Sequence, residues 1–349
     1  MCLDRRPVRD DIVKSMKFGI SISGLQQQPR GGDMRETLRD IVGCVRLVRD
    51  LGFDYLICGQ HFLAEPYEYL QPLPLLARLA EEAGDMRLGA TFLLPLHHPV
   101  ALAELTATVD VITGGRLIVA VARGYREVEY AAFGVTAAEA TGRMVEGVEC
   151  LRGLWSGEPL TCEGRYYRLR EARIGILPVQ RPHPELWVSA NADAAVTRAA
   201  RMGLPWNVNV HADLATIDRQ VGAYREAARL AGHDPDVLLP IGRELYCAPS
   251  RERALEEAGR YLYDKYQTYA SWEQDRALPG ATSFRVEFAE LARDRFIVGS
   301  PDECVEELGR YARLGIGQIH VRMSWPGMPA ELSRRSLELF AAEVIPRLR

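Results

Sequence analysis

Residues 87–134 read RLGATFLLPLHHPVALAELTATVDVITGGRLIVAVARGYREVEYAAFG. A β run at 87–93 is followed by Leu102, Leu105, Val109 and Ile112, which share one helical face behind Pro99. Gly114-Gly115 stops that helix, and 116–121 is a second β run. A helix between two hydrophobic strands makes a βαβ unit, and its strands must be parallel. The first strand runs into Pro95 and the pair His97-His98. The second ends on a lone Arg123 beside Gly124 and Tyr125. In parallel α/β proteins the loops after the strands carry the chemistry, so this stretch sets the fold class and also points to the site.

The same alternation extends both ways. Strands are expected at 17–22, 54–58, 186–190, 205–210, 238–247 and 318–322, with helical spacing between them. Two long excursions interrupt the pattern, one at 157–184 after the fourth strand and one around 272–284 after the seventh. No composition break divides the chain. The expectation is an α/β chain folded as one (β/α)8 TIM barrel over 16–349, behind an N-terminal extension at 1–15. A doubly wound open sheet is the alternative, but no GxGxxG follows the first strand.

Composition removes several classes of function. The 349 residues are 47% hydrophobic and 26% charged, an ordinary globular profile. A net charge of -4 without a basic tract argues against nucleic acid or an anionic membrane as partner. No apolar run is long enough to span a bilayer. The opening MCLDRRPVRDDIVKS has no apolar core and does not read as a secretory signal. Seven scattered cysteines without a CxxC read as thiols in a reducing cytoplasm.

On a barrel the strand ends converge at one mouth. They hold Gln60-His61, residues 95–98, Arg123-Gly124-Tyr125, Asn191 with Asp193, Asn207 with Asn209, and Ser324-Trp325. Carboxylates do not cluster there, which disfavours a two-carboxylate glycosidase or an oxygen-ligand metal site. HxxxH spacing and a GxSxG elbow are both missing, so neither zinc nor a serine nucleophile is expected, and no metal is assigned. Such a protein must borrow reactivity from an organic cofactor. Arg123 suits a cofactor phosphate, helped by the N–H groups of the helix starting near Asn191. Its other reading is a structural arginine paired with a barrel carboxylate.

These words together resemble the bacterial luciferase-like flavin-dependent monooxygenases. The resemblance rests on MKFG at 16–19, LGFD at 51–54, QHF at 60–62, LLPLHHPV at 93–100, GRLIVAVARGY at 115–125, AARMGLP at 199–205 and FIVGSPDECVEEL at 296–308. It implies that Arg123, with Gly124 and Tyr125 beside it, holds the phosphate of FMN. It places a non-prolyl cis peptide at Ala90-Thr91 against the flavin ring. It puts Asn191 and Ala192 where the family has a phosphate-binding acid and serine. His61 matches the second of two adjacent histidines, and the first, implicated in luciferase catalysis, is Gln60 here. That departure puts long-chain aldehyde luminescence in doubt.

The implied activity is a two-component monooxygenase. A separate flavin reductase supplies FMNH2, dioxygen forms a flavin peroxide, and a small organic substrate is oxidised with His61 moving or orienting a proton. The excursions are expected to be lids. Two alternatives stay open: hydride transfer from the deazaflavin coenzyme F-420, and a non-catalytic flavin binder allowed by Gln60 and Ala192. A homodimer is implied as well. Tyr67, Tyr69 and Trp325 are substrate-contact candidates, with packing the other reading of Trp325. His97 and His98 are more simply structural, and the tyrosines at 261, 263, 266 and 269 read as helix packing.

Overall fold

A computed structural model describes residues 16–208, 210–279 and 283–349. The proposed extension at 1–15 and Asn209 lie outside the described residues.

The chain closes into an eight-stranded parallel barrel ringed by helices. The barrel strands are β1 (Lys17–Ser21), β2 (Tyr55–Cys58), β3 (Arg87–Leu93), β4 (Leu117–Ala122), β5 (Glu185–Ala190), β6 (Trp206–Val208), β7 (Leu239–Cys247) and β8 (Ile316–Arg322). Each pairs with the next, β8 returns to β1, and Val208 of β6 pairs with Ile241 of β7. The main helices are α1 (Met34–Asp50), α2 (Pro72–Leu79), α3 (Pro99–Ile112), α4 (Ala137–Trp155), α5 (Asp193–Arg201), α6 (Leu214–Leu230), α7 (Arg251–Ser271), α8 (Pro301–Arg313) and α9 (Ala330–Glu343). None of the described helices is long and apolar enough to cross a membrane.

Strand alternation divides the apolar residues into two layers. One set, including Leu88, Val119, Val188 and Ile241, packs outward beneath the helices. The other, Tyr55, Ile57, Ile118, Ala120 and Trp187, fills the barrel interior. Gly19 on β1 faces that interior because a Cβ there would meet the Tyr55 ring at 2.5 Å. Local signals hold at helix ends too. Gly114 and Gly115 take φ of +66° and +82° after α3, where other residues would be strained. Ser300 caps α8 in a reciprocal capping box with Glu303, as its sequence position suggests.

Some elements depart from expectation. Gln27–Pro29, expected as loop, pairs antiparallel with Tyr67–Tyr69 in a small ribbon beside the mouth. Ile297–Gly299 adds a short strand to the outer end of β7. The first excursion contains a hairpin, Leu160–Glu163 with Arg168–Ala172. Glu146 of α4 holds the excursion by accepting the N–H groups of Arg165, Tyr166 and Tyr167 at 2.8–3.2 Å. Asp110 of α3 accepts those of Val179 and Gln180. The first excursion is therefore tied down beside α3 and α4 and lines none of the cleft at the barrel mouth. The second excursion does reach the cleft, through Gln274, Arg276 and Leu278.

Candidate active site at the barrel mouth

The C-terminal ends of the strands open into a cleft of about 510 Å³. Its floor continues into an inner chamber of about 190 Å³. Ser23, Gly59, Thr91, Ser189, Asn191 and Arg322 line both spaces. Together they fall in the range of small-molecule and cofactor sites. Among the described residues, neither space is lined by an aspartate or glutamate.

One end of the cleft is built for an anion. Arg123 follows β4, and Gly124 turns the chain at φ +81°. The Arg123 guanidinium donates through Nη2 to the Ala137 carbonyl at 2.7 Å and lies 6.0 Å from the Tyr130 ring centre. Its Nε is buried with no hydrogen-bond partner. The barrel-carboxylate reading of Arg123 fails, since no acid pairs with it among the described residues. Opposite stands the start of α5, whose N-cap, Ala192, offers no side-chain oxygen. The first-turn N–H groups thus lack the usual side-chain acceptor. Asp193 does not supply one: it faces Arg219 at 2.7 Å and Gln220 at 2.8 Å. Arg198, farther along α5, also reaches the cleft. An unpaired guanidinium nitrogen and a helix N-terminus without a side-chain cap, its one first-turn acid already paired with Arg219, fit a phosphate.

At the other end, His61 is held by a buried acid. Its Nδ1 lies 3.0 Å from Glu129 Oε1, which also accepts the Phe62 N–H at 2.8 Å. Arg126 clamps the same loop through the Phe62 and Leu63 carbonyls. The imidazole edges the rings of Tyr69, Tyr125 and Trp272, with centres 5.5–6.0 Å away. Tyr125 in turn donates to Gln274 of the second excursion at 3.0 Å. Gln60 lines the cleft, but its Oε1 is committed to the Leu93 N–H at 3.0 Å and His97 Nε2 at 2.8 Å. Only its NH₂ remains to face a ligand. Burial pushes the His97 imidazole down to about 4, so it is neutral and structural. His98 packs on Tyr167 and starts α3, with no place in the cleft.

Beneath the cleft lies a buried ionic cluster. Glu244 of β7 accepts from Lys265 of α7, from Arg322 of β8 at 2.8 Å, and from the Trp325 indole at 2.6 Å. Burial raises the Glu244 carboxyl, but Arg322 and Lys265 outweigh it and hold the group below its ordinary value. Burial, then Arg322, pushes Lys265 down to about 7 against the pull of Glu244. His211 and His320 also line the chamber and are kept neutral, chiefly by burial.

Several sequence expectations need correction. The Ala90-Thr91 bond is trans, because the cis bonds among described residues are Glu65-Pro66 and Arg181-Pro182. Ala90 and Thr91 continue the ladder to Val119 and Ala120, and alternation sends Ala90 outward into the core while Thr91 faces the mouth. Tyr67 does not line the cleft. Its hydroxyl donates to Thr268, and Tyr69, one pleat along, lines the cleft instead. Trp325 is 1% exposed and packs on Tyr246, with its N–H on Glu244, so it supports the cluster and touches no ligand space. Sequence reasoning missed Glu129, Glu244, Lys265, His211 and Arg322. The one available signal was Lys265, a lysine set among the α7 tyrosines.

The chain is similar to several known proteins over most of its length. The chain is 26% identical to the oxygenase component of flavin-dependent trigonelline monooxygenase from Acinetobacter baylyi, covering 84% of this chain and 85% of that one. It is 28% identical to F420-dependent glucose-6-phosphate dehydrogenase from Microbacterium testaceum, covering 87% and 91%. The crystal structure of monooxygenase RslO1 from Streptomyces bottropensis superposes with a TM-score of 0.85 at 27% identity, over 96% of this chain and all of that one. Residues 16–318 match the luciferase-like monooxygenase family, so the chain belongs to that family.

Proposed function

We propose that the protein is the oxygenase of a two-component system, using reduced FMN from a separate reductase and dioxygen to oxidise a small organic substrate. The observation that carries this reading is the anion cradle. Arg123 and the bare N-terminus of α5 would hold the flavin phosphate, with Thr91, Gly59, Ala122 and Ser189 as the bed for the ring at the lip of the chamber. When bound, reduced FMN supplies the electrons with which dioxygen is activated. The chain supplies the rest. Gln274 and Leu278 of the second excursion cover the cleft and keep water out. His61 donates from Nδ1 to Glu129 and so presents Nε2 as the atom that accepts or returns a proton.

A second reading has its own observation. Arg198 and Arg276 reach the same cleft as Arg123, more positive charge than one phosphate requires. A deazaflavin with a polyanionic tail would use it, in line with the F420-dependent relative. One anaerobic titration decides, with photoreduced FMN in one arm and coenzyme F420 in the other. Tight FMNH2 binding, with oxygen consumed once a reductase is added, supports the oxygenase. Binding of F420 alone transfers the site to hydride transfer. Flavin binding without oxygen consumption beyond free flavin makes it a non-catalytic binder.

The working form is proposed to be a cytoplasmic homodimer. The six described cysteines are free thiols, suiting a reducing compartment. Leu105, Val111 and Ile112 on α3 are 45–52% exposed, an apolar face that a second copy would cover.

A further inference from the structure

We propose that the inner chamber takes the carboxylate of an anionic substrate and that Arg322 is the side chain that recognises it. This deepens the oxygenase reading, on which it rests only for calling the occupant a substrate. Arg322 lines both the cleft and the chamber, so it faces whatever lies between them. Its Nη1 donates to Glu244, while its Nε is buried without a hydrogen-bond partner. Glu244 cannot answer that remaining donor. Its Oε1 already accepts from Lys265 and Arg322, and its Oε2 from Trp325.

The charges in the cluster do not balance. One carboxylate, Glu244, faces two cations, Lys265 and Arg322, and the buried Arg243 guanidinium on the chamber wall adds a third. Buried charge is costly unless paired, and no aspartate or glutamate lines either space. Two events relieve the surplus: Lys265 gives up its proton, or an anion enters. The chamber offers the anion a polar bed. Asn207 is nine-tenths buried, donates to Ser189 Oγ at 3.0 Å, and leaves its Oδ1 unpartnered. Ser21 and the neutral His211 and His320 line it as well. A carboxylate matches the planar guanidinium and supplies negative charge that the cluster lacks.

Anion entry has a second consequence. Lys265 is faced by Glu244 of β7, Arg322 of β8, Tyr266 and Tyr269 of its own helix, and the neighbouring His211. A carboxylate in the chamber adds negative charge to this set and favours the protonated amine. Binding near neutral pH therefore takes up protons.

The test uses 4-fluorobenzoate and its neutral isostere 4-fluorobenzamide, titrated by ¹⁹F NMR into the FMN-loaded protein so that the Arg123 cradle is filled. The expected result is a preference for the carboxylate of about tenfold or more. Arg322→Met should bring the two probes together, Arg322→Lys should keep part of the preference, and FMN affinity should stay within about threefold in both variants. Calorimetry in two buffers of different ionisation enthalpy should show proton uptake with the benzoate alone. Equal binding of the two probes to the native protein overturns the proposal. So does a loss of FMN affinity in Arg322→Met as large as the loss of benzoate, which would give Arg322 to the cofactor. Should Arg322→Met not fold, Asn207→Leu fills the chamber while leaving its charged side chains in place, and must also abolish the preference. FMN binding is measured first. If the chain takes no flavin, the oxygenase reading fails, and the same titration on cofactor-free Arg123→Ala protein still decides the chamber.

Discussion

Arg123 has a free buried nitrogen and no acid beside it, so its removal should be felt mainly by a bound anion. Arg123→Ala should weaken FMN binding by roughly 1.5–3 kcal/mol, about 10- to 100-fold in Kd by flavin fluorescence, with little change in melting temperature. An unchanged Kd would place the phosphate elsewhere. His97 gives a stability prediction of opposite kind. Unfolded, an imidazole binds its proton near 6.5, whereas folded His97 does so only near 4. As pH falls through that window the unfolded chain takes up the proton first, so stability present above 6.5 is lost, up to roughly 3 kcal/mol from this residue. His211 and His320 shift the same way. Urea unfolding at stepped pH should show the decline, and His97→Gln should flatten it by about one proton; an unaltered slope would rule His97 out. At this scale Arg123 and His61 were legible because each lies within three residues of a strand end, where a barrel places its chemistry. Glu129 and Glu244 were not, because burial and the meeting of distant segments leave no mark in local spacing. Trp325 failed for the same reason: its position after β8 fits the mouth, but only packing shows that it turns to Glu244.

Among elements, α5 links stability to binding in a way that can be separated. Its alanine N-cap leaves the first-turn N–H groups without a side-chain acceptor, a weakness in the helix that is useful to a phosphate. Ala192→Asp would fill the cap, stabilising the fold by about 0.5–2 kcal/mol, and would place a negative charge where the phosphate belongs. The expected outcome is a higher melting temperature together with weaker FMN binding. A variant that gains stability without losing FMN would remove α5 from the cradle. The strand and helix sequence was readable from periodicity. The excursions were not, because length and turn composition do not show what a segment packs against. Glu146 and Asp110 bind the first excursion to the barrel flank, and of the two only the second reaches the cleft.

For the whole molecule, barrel closure gathers the C-terminal strand ends at one mouth. It leaves open what covers the flank. The exposed aliphatics of α3, Leu105, Val111 and Ile112, lie on the helix to which the first excursion is tied. Glu104 accepts the Gly175 N–H and Asp110 the Val179 N–H, which brings Leu177 and Val179, 38% and 52% exposed, to the same side. An excursion fixed in place but absent from the cleft acquires a role if it extends an interface. A patch of one character on one flank suits an isologous contact, in which α3 of each protomer meets the same surface of its partner. The double variant Leu105→Glu, Ile112→Glu puts two charges into that contact while sparing the mouth. By light scattering coupled to size exclusion, the native chain should run as a dimer and the variant as a monomer that still binds FMN, since Arg123 and α5 belong to one chain. A native protein that is monomeric at tens of micromolar, or a variant that remains dimeric, would move the interface away from α3.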